Sequence, residues 1–158
     1  MEPVNIDDMI DAIYENDTGK IGLVDKCLVT RDETRTHATL LHIASSTGKI
    51  EFVNALIKAG ANVNKTDQFG VTPLIAAVEA YLKGDVKINV IHSLLTAGAN
   101  VKHAANSSFP GEDRKTAIKL ADKAKDKELA ELLRKHLPKS GGSRTRTRRT
   151  RTRNRKRL

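Results

Sequence analysis

A chain of 158 residues, 39% hydrophobic and only 3% aromatic, has the length of one domain of ordinary size, and nothing in it asks for two. Its net charge of +9 belongs to one end: all 19 acidic residues fall in 1–138 beside 18 of the Lys and Arg, whereas 139–158 carries the other 10 and no acid. A single cysteine, Cys27, excludes a disulfide within the chain. No apolar run near the N-terminus has signal-peptide or membrane-span length, so the sequence points to a cytoplasmic or nuclear protein.

Ile6, Met9, Ile10 and Ile13 stand at helical spacing; the pattern breaks at Asn16-Asp17-Thr18-Gly19 and resumes with Ile21, Val24 and Leu28, which predicts a helix-turn-helix. Asp7, Asp8, Asp11 and Glu15 wet its outer side, as suits a terminal unit. Cys27, in the second of these helices, reads as a small buried hydrophobe, because no basic cluster or paired His stands near to activate a thiol.

The next unit, from Thr39 to Asn64, reads Thr-Leu-Leu-His-Ile-Ala-Ser-Ser-Thr-Gly-Lys-Ile-Glu-Phe-Val-Asn-Ala-Leu-Ile-Lys-Ala-Gly-Ala-Asn-Val-Asn. Its order returns from Thr72 as Thr-Pro-Leu-Ile-Ala-Ala, and after an insertion as Val-Ile-His-Ser-Leu-Leu-Thr-Ala-Gly-Ala-Asn-Val. The period set by Thr39 and Thr72, with these residues, resembles the ankyrin repeat. The resemblance implies an all-α solenoid of about four helix-turn-helix repeats with connecting hairpin loops, at roughly 4–30, 31–65, 66–102 and 103–137. They make up a domain over 1–138, followed by a disordered basic tail over 139–158.

The resemblance also implies roles. Thr39 caps backbone N–H groups and His42 bonds between adjacent repeats; Leu40 stands where Pro is usual, at a small cost in rigidity. Ala44 lets two helices approach, Gly48 turns the chain, Val53, Leu56 and Ile57 form the buried stripe of the second helix, and Gly60 ends it. His37 replaces the usual turn Gly and Thr34 the usual Asp, so an irregular hairpin is expected there. Asp67 to Leu74 matches the family's hairpin and helix start closely, but Ile75 replaces the usual His.

Gly60 and Gly98 lie farther apart than one period, so Tyr81-Leu82-Lys83-Gly84-Asp85 is an insertion of about five, placed in a surface loop between the helices. It serves function, or else it is a helix extension and turn that touches no neighbour. Thr116 to Ala121 repeats Thr72 to Ala77 at a longer offset still, which leaves about six extra residues in the loop 101–115. There Ser107-Ser108-Phe109-Pro110-Gly111 forms a projecting finger. Leu129, Leu132 and Leu133 supply the last apolar stripe, Pro138 stops its helix, and Gly141-Gly142-Ser143 opens a flexible segment.

The five histidines, His37, His42, His92, His103 and His136, form no His-x-x-x-His pair and join no Cys cluster, so neither metal nor cofactor is expected. Gly19-Lys20 and Gly48-Lys49 lack the context of a phosphate-binding loop and read as interhelical turns. No nucleophile motif appears, and the expectation is a protein that is not an enzyme.

If the family's mode of binding transfers, a partner protein is met on the concave face by hairpin tips and first helices. Those positions are Arg35, Thr36, Ala38, Ser46 and Thr47 in the second repeat and Gln68, Phe69, Val71, Glu79 and Ala80 in the third, with Tyr81 and Phe109 as weaker candidates. Phe69, a large aromatic at a hairpin tip, is the strongest; packing against the neighbouring hairpin is its competing explanation. The tail residues Arg144, Arg146, Arg148, Arg149, Arg151, Arg153, Arg155, Lys156 and Arg157 read as a nuclear localisation signal met by an importin-type receptor, as an arm for nucleic-acid phosphates, or as a solvated appendage. Thr145, Thr147, Thr150 and Thr152 between them are candidate phosphorylation sites. The chain is expected to be a monomer without a membrane span.

Overall fold

The computed structural model describes residues 5–24, 37–105 and 116–138. Among these residues the chain forms α1 (Ile6–Glu15), a 3-10 helix (Thr18–Leu23), α2 (Leu40–Ser46), α3 (Ile50–Lys58), α4 (Pro73–Lys83), α5 (Ile88–Thr96), α6 (Ala117–Ala124) and α7 (Lys127–Lys135), with no strand. Consecutive helices pack in pairs, α2 with α3, α4 with α5 and α6 with α7. The first helices of successive pairs also stack, α1 on α2 on α4 on α6, while α3 packs on α5. The architecture is the all-helical repeat solenoid that the sequence period predicts.

One continuous core threads the stack. Met9 and Ile13 of α1, Leu41, Phe52, Leu74 and Leu129 are all fully buried. Burial of such a side chain contributes about 1.5–3 kcal/mol, and because each helix presents only one apolar stripe, neighbouring repeats must supply the other wall. Phe52, not singled out in the sequence, is the largest of these side chains, while Ile57 is only half-buried. Leu40 is 1% exposed. It therefore contributes to the core besides opening the helix in place of Pro. Ser45 is fully buried and its hydroxyl has no hydrogen-bond partner, at the place that Val78 occupies in the next repeat.

The first repeat departs from expectation. Asn16 closes α1 in the left-handed conformation, and the Asp17 carboxylate accepts from the Gly19 N–H at 3.1 Å. The chain then makes a 3-10 helix with no buried residue, and Val24 is extended. The α-helix that the spacing of Ile21, Val24 and Leu28 predicts is thus not formed over its described half. Gly19 and Gly22 each disfavour an α-helix by about 1 kcal/mol relative to Ala. Ile21 and Val24 still pack partly against the core. Cys27, Leu28 and Thr34 lie outside the described residues.

The insertion is also resolved differently from a loop. Where α2 has seven residues, α4 has eleven, and Gly84 caps it. Tyr81-Leu82-Lys83 extends the helix, and Gly84 and Asp85 enter the turn, which Val86 continues. This turn does touch a neighbour. Val86 is 6% exposed, and a Cβ built on Gly48 would sit 3.3 Å from Val86 Cγ2. The lengthened turn therefore folds back onto the tight turn of the preceding repeat.

The extra residues before the last repeat fall between two points that pair. Ala104 and Thr116 form an antiparallel bridge. Phe109 and the rest of the proposed finger, Ser107 to Gly111, fall within 106–115, outside the described residues.

Candidate functional site

The hairpin that leads into α4 is built around one carboxylate. Asp67 Oδ1 accepts from the Phe69 N–H at 2.9 Å and from the Val71 N–H at 2.8 Å, while the Asp67 N–H donates to the Val71 carbonyl at 3.0 Å. The Gly70 N–H donates to the Asp67 carbonyl at 3.0 Å, and Gly70 takes φ +72°, open to glycine without strain. With these four amides satisfied internally, the loop holds Phe69 outward. Its side chain is 50% exposed, and Gln68 beside it is exposed as well. His37, the counterpart of Gly70 in the preceding repeat, takes φ +56°, so this position keeps the left-handed backbone despite lacking the glycine.

Two histidines grip the Phe69 hairpin from opposite sides. His42 of α2 is 5% exposed. Its Nδ1 lies 3.1 Å from the Thr39 N–H and 2.9 Å from the Thr39 hydroxyl, both donors, so the ring proton sits on Nε2, which donates to the Val71 carbonyl at 3.1 Å. Burial pushes this imidazole below its ordinary range. It outweighs the Val71 and Lys65 backbone hydrogen bonds and the Asp67 charge, which favour the protonated form; the Lys65 charge acts with burial. From the other side, His103 Nε2 donates to the Gly70 carbonyl at 2.9 Å. His103 was given no role by the sequence, because its contact is a full repeat away and lies outside the helix signature.

The capping threonines divide by the same logic. Thr72 and Thr116 accept from the N–H groups of Ile75 (3.4 Å) and Lys119 (3.2 Å), whereas Thr39 forms a capping box with His42, whose Nδ1 accepts from both the Thr39 N–H and its hydroxyl. Where Ile75 replaces that histidine it is buried. A second link between repeats comes from Asn64, whose Oδ1 accepts from the Asn100 N–H at 2.7 Å and whose Nδ2 donates to the Gly98 carbonyl at 3.3 Å.

The other positions proposed from sequence fall into distinct settings. Ser46 and Thr47 end α2, and both hydroxyls donate to the Ile43 carbonyl, at 3.1 and 2.7 Å. Ala38, Val71 and Glu79 are half-buried. Ala80 is 7% exposed and belongs to the core, so it offers no contact surface; its methyl is taken up by packing within the stack. Tyr81 is not on a loop: it lies in α4, packed partly against the core, with its phenol near the carboxylates of Asp126 and Glu128 at the start of the last helix. Burial first, then the charges of Asp126 and Glu128, push that phenol above its ordinary range. Arg35, Thr36, Phe109 and all the tail residues lie outside the described residues.

Among the described residues, no three His, Cys, Asp or Glu side chains come together as a metal site, and no helix is long and apolar enough to cross a membrane. A surface depression of about 580 Å³ on α6 and α7 is rimmed by Asp122, Asp126, Glu131 and Arg134. Arg134 commits its guanidinium to Asp122, at 2.6 and 2.8 Å.

The family model for ankyrin repeats, in three copies, matches residues 9–105. Ankyrin repeat protein OPG189 of Variola virus is 37% identical over 59 residues, covering 33% of this chain and 11% of the viral protein; its counterpart from Vaccinia virus strain Copenhagen matches to the same extent. Serine/threonine-protein kinase VIK of Arabidopsis thaliana is 32% identical over 103 residues, covering 61% of this chain and 23% of the kinase. The chain therefore spans a small part of these relatives. The family match covers more than half of the sequence, and the repeats of that family generally form a protein-interaction fold without catalysis of its own. The chain belongs to the ankyrin-repeat family.

Proposed function

We propose that this protein is a non-enzymatic adaptor or inhibitor that captures a partner protein on its hairpin and first-helix face, with Phe69 as the anchor. The observation that carries the reading is the exposure of the Phe69 ring, 50%, on a loop held in shape by four of its own amides. The ring adds little to the core, and a rigid exposed aromatic is the kind of group that interfaces bury at small entropic cost. In this reading Gln68, which is exposed, and the half-buried Ala38, Val71 and Glu79 are supporting positions, as are Ser46, Thr47 and Tyr81 toward the helix ends. Arg35, Thr36 and Phe109 remain part of the proposed surface on their sequence positions alone.

The basic tail sends the protein to the nucleus or docks it on an acidic surface. The test of the main reading is affinity capture from cells with wild type and Phe69→Ala, read by quantitative proteomics. Specific partners should be lost or fall at least tenfold in the variant, as for an interface anchor worth ~2 kcal/mol or more. An unchanged partner set would place recognition elsewhere.

A second reading is favoured by the ten basic residues without a single acid in 139–158. In it the tail binds nucleic-acid phosphates while the repeats recruit another protein. Lacking an aromatic for base stacking, such an arm would bind with little sequence preference.

A further inference from the structure

The hairpin carrying Phe69 is held by its own repeat through Asp67, and by two imidazoles from the repeats on either side. His42 donates to the Val71 carbonyl and His103 to the Gly70 carbonyl, so consecutive carbonyls immediately after Phe69 are each pinned by a ring N–H, at 3.1 and 2.9 Å. The Val71 carbonyl also takes the Asp67 N–H, which fills both of its lone pairs. We propose that His42 and His103 form a two-sided clasp that positions the Phe69 loop for recognition, His103 acting as a positioning residue for the binding surface. The inference rests on the reading of Phe69 as the anchor.

Stacking alone does not require this arrangement of His103. Adjacent repeats are already joined near this point by the Asn64 side chain, which bonds Gly98 and Asn100. His103 is half-buried, and its ring instead reaches back over the hairpin to the carbonyl next to Phe69. Loss of its hydrogen bond frees the distal strand of the loop, Gly70-Val71, while leaving the core residues of α4 and α6 untouched. A binding loop held in one shape loses less freedom on association, which is how a residue without partner contact raises affinity.

The test is amide hydrogen exchange on the full chain, following Asp67, Phe69, Gly70 and Val71, whose N–H groups all bond within the loop. His103→Leu should speed their exchange about fivefold, the opening expected from one lost hydrogen bond of ordinary strength, with the α4 and α5 amides unchanged. His103→Gln, which keeps an N–H donor, should restore much of the protection. In capture from cells, His103→Leu should weaken the same partners that Phe69→Ala removes. Unchanged exchange in His103→Leu overturns the clasp whatever Phe69 does. Faster exchange with the Phe69-dependent partners fully retained overturns the positioning role. If Phe69→Ala itself leaves the partner set intact, it is the anchor reading that fails.

Discussion

The imidazole of His42 is buried, with both ring nitrogens committed to hydrogen bonds. It is a neutral ring whose Nδ1 must accept from Thr39 and whose Nε2 must donate to Val71, inside a site 5% exposed. Protonation would turn the Nδ1 acceptor into a donor facing the Thr39 N–H. The native state therefore resists the proton that the unfolded chain takes up near pH 6.5. Because the unfolded state binds more protons below that pH, this residue's contribution to stability is complete above 6.5. It is lost as the pH falls from there through the lower native value, with a slope of at most ~1.4 kcal/mol per pH unit. Urea unfolding at pH 7.5 and 5.5 should show a larger acid-induced loss in wild type than in His42→Gln. Equal losses in the two proteins would mean that the buried imidazole is not the acid-sensitive group. The neighbouring His37 shows a different local compromise, accepting a left-handed backbone that costs L residues about 1–2 kcal/mol where the next repeat has Gly70.

At the scale of elements, the insertion in the third repeat couples repeats. Its helical part brings Tyr81 near the charges of Asp126 and Glu128 in the following repeat, and its turn sets Val86 against Gly48 in the preceding one. Gly48 is then required for two reasons, a φ of +75° and a neighbour 3.3 Å from any added Cβ, whereas Gly60 has φ +94° and nothing within 4 Å. Gly60→Ala should cost only the conformational term, about 1–2 kcal/mol. Gly48→Ala should cost more, and part of the excess should be recovered in the Gly48→Ala, Val86→Ala double variant, read as a coupling energy from denaturant unfolding. If the two glycine variants are equally destabilised, the turn does not pack on Gly48 in solution.

At the scale of the whole molecule, the charge asymmetry separates two kinds of binding. The repeats carry a nearly balanced charge, and the segment 139–158 carries all of the excess. Should the tail bind nucleic acid, deletion of 139–158 would abolish an affinity that falls steeply with salt. If all ten basic side chains neutralised a phosphate, the slope of log K against log salt would reach roughly −7 on single strands and −9 on duplex. Measuring both proteins at two salt concentrations decides the matter: a full-length protein with no salt-dependent affinity retires the nucleic-acid reading and leaves localisation or an acidic protein surface as the tail's role.

The repeat architecture was legible in the sequence because stacking is encoded locally. Thr72 must cap, Gly70 must turn, and Leu41, Val53 and Leu74 must face inward, all at fixed spacing within one period. The departures were visible as well, since an offset longer than the period announces extra residues. What those residues do was decided only by tertiary structure. Val86 and Tyr81 find their partners in other repeats, and His103 closes on a carbonyl one repeat back. Local propensity and period fix the repeat, because each unit buries the same stripe. The contacts that distinguish one hairpin from the next lie between units, where sequence separation hides them.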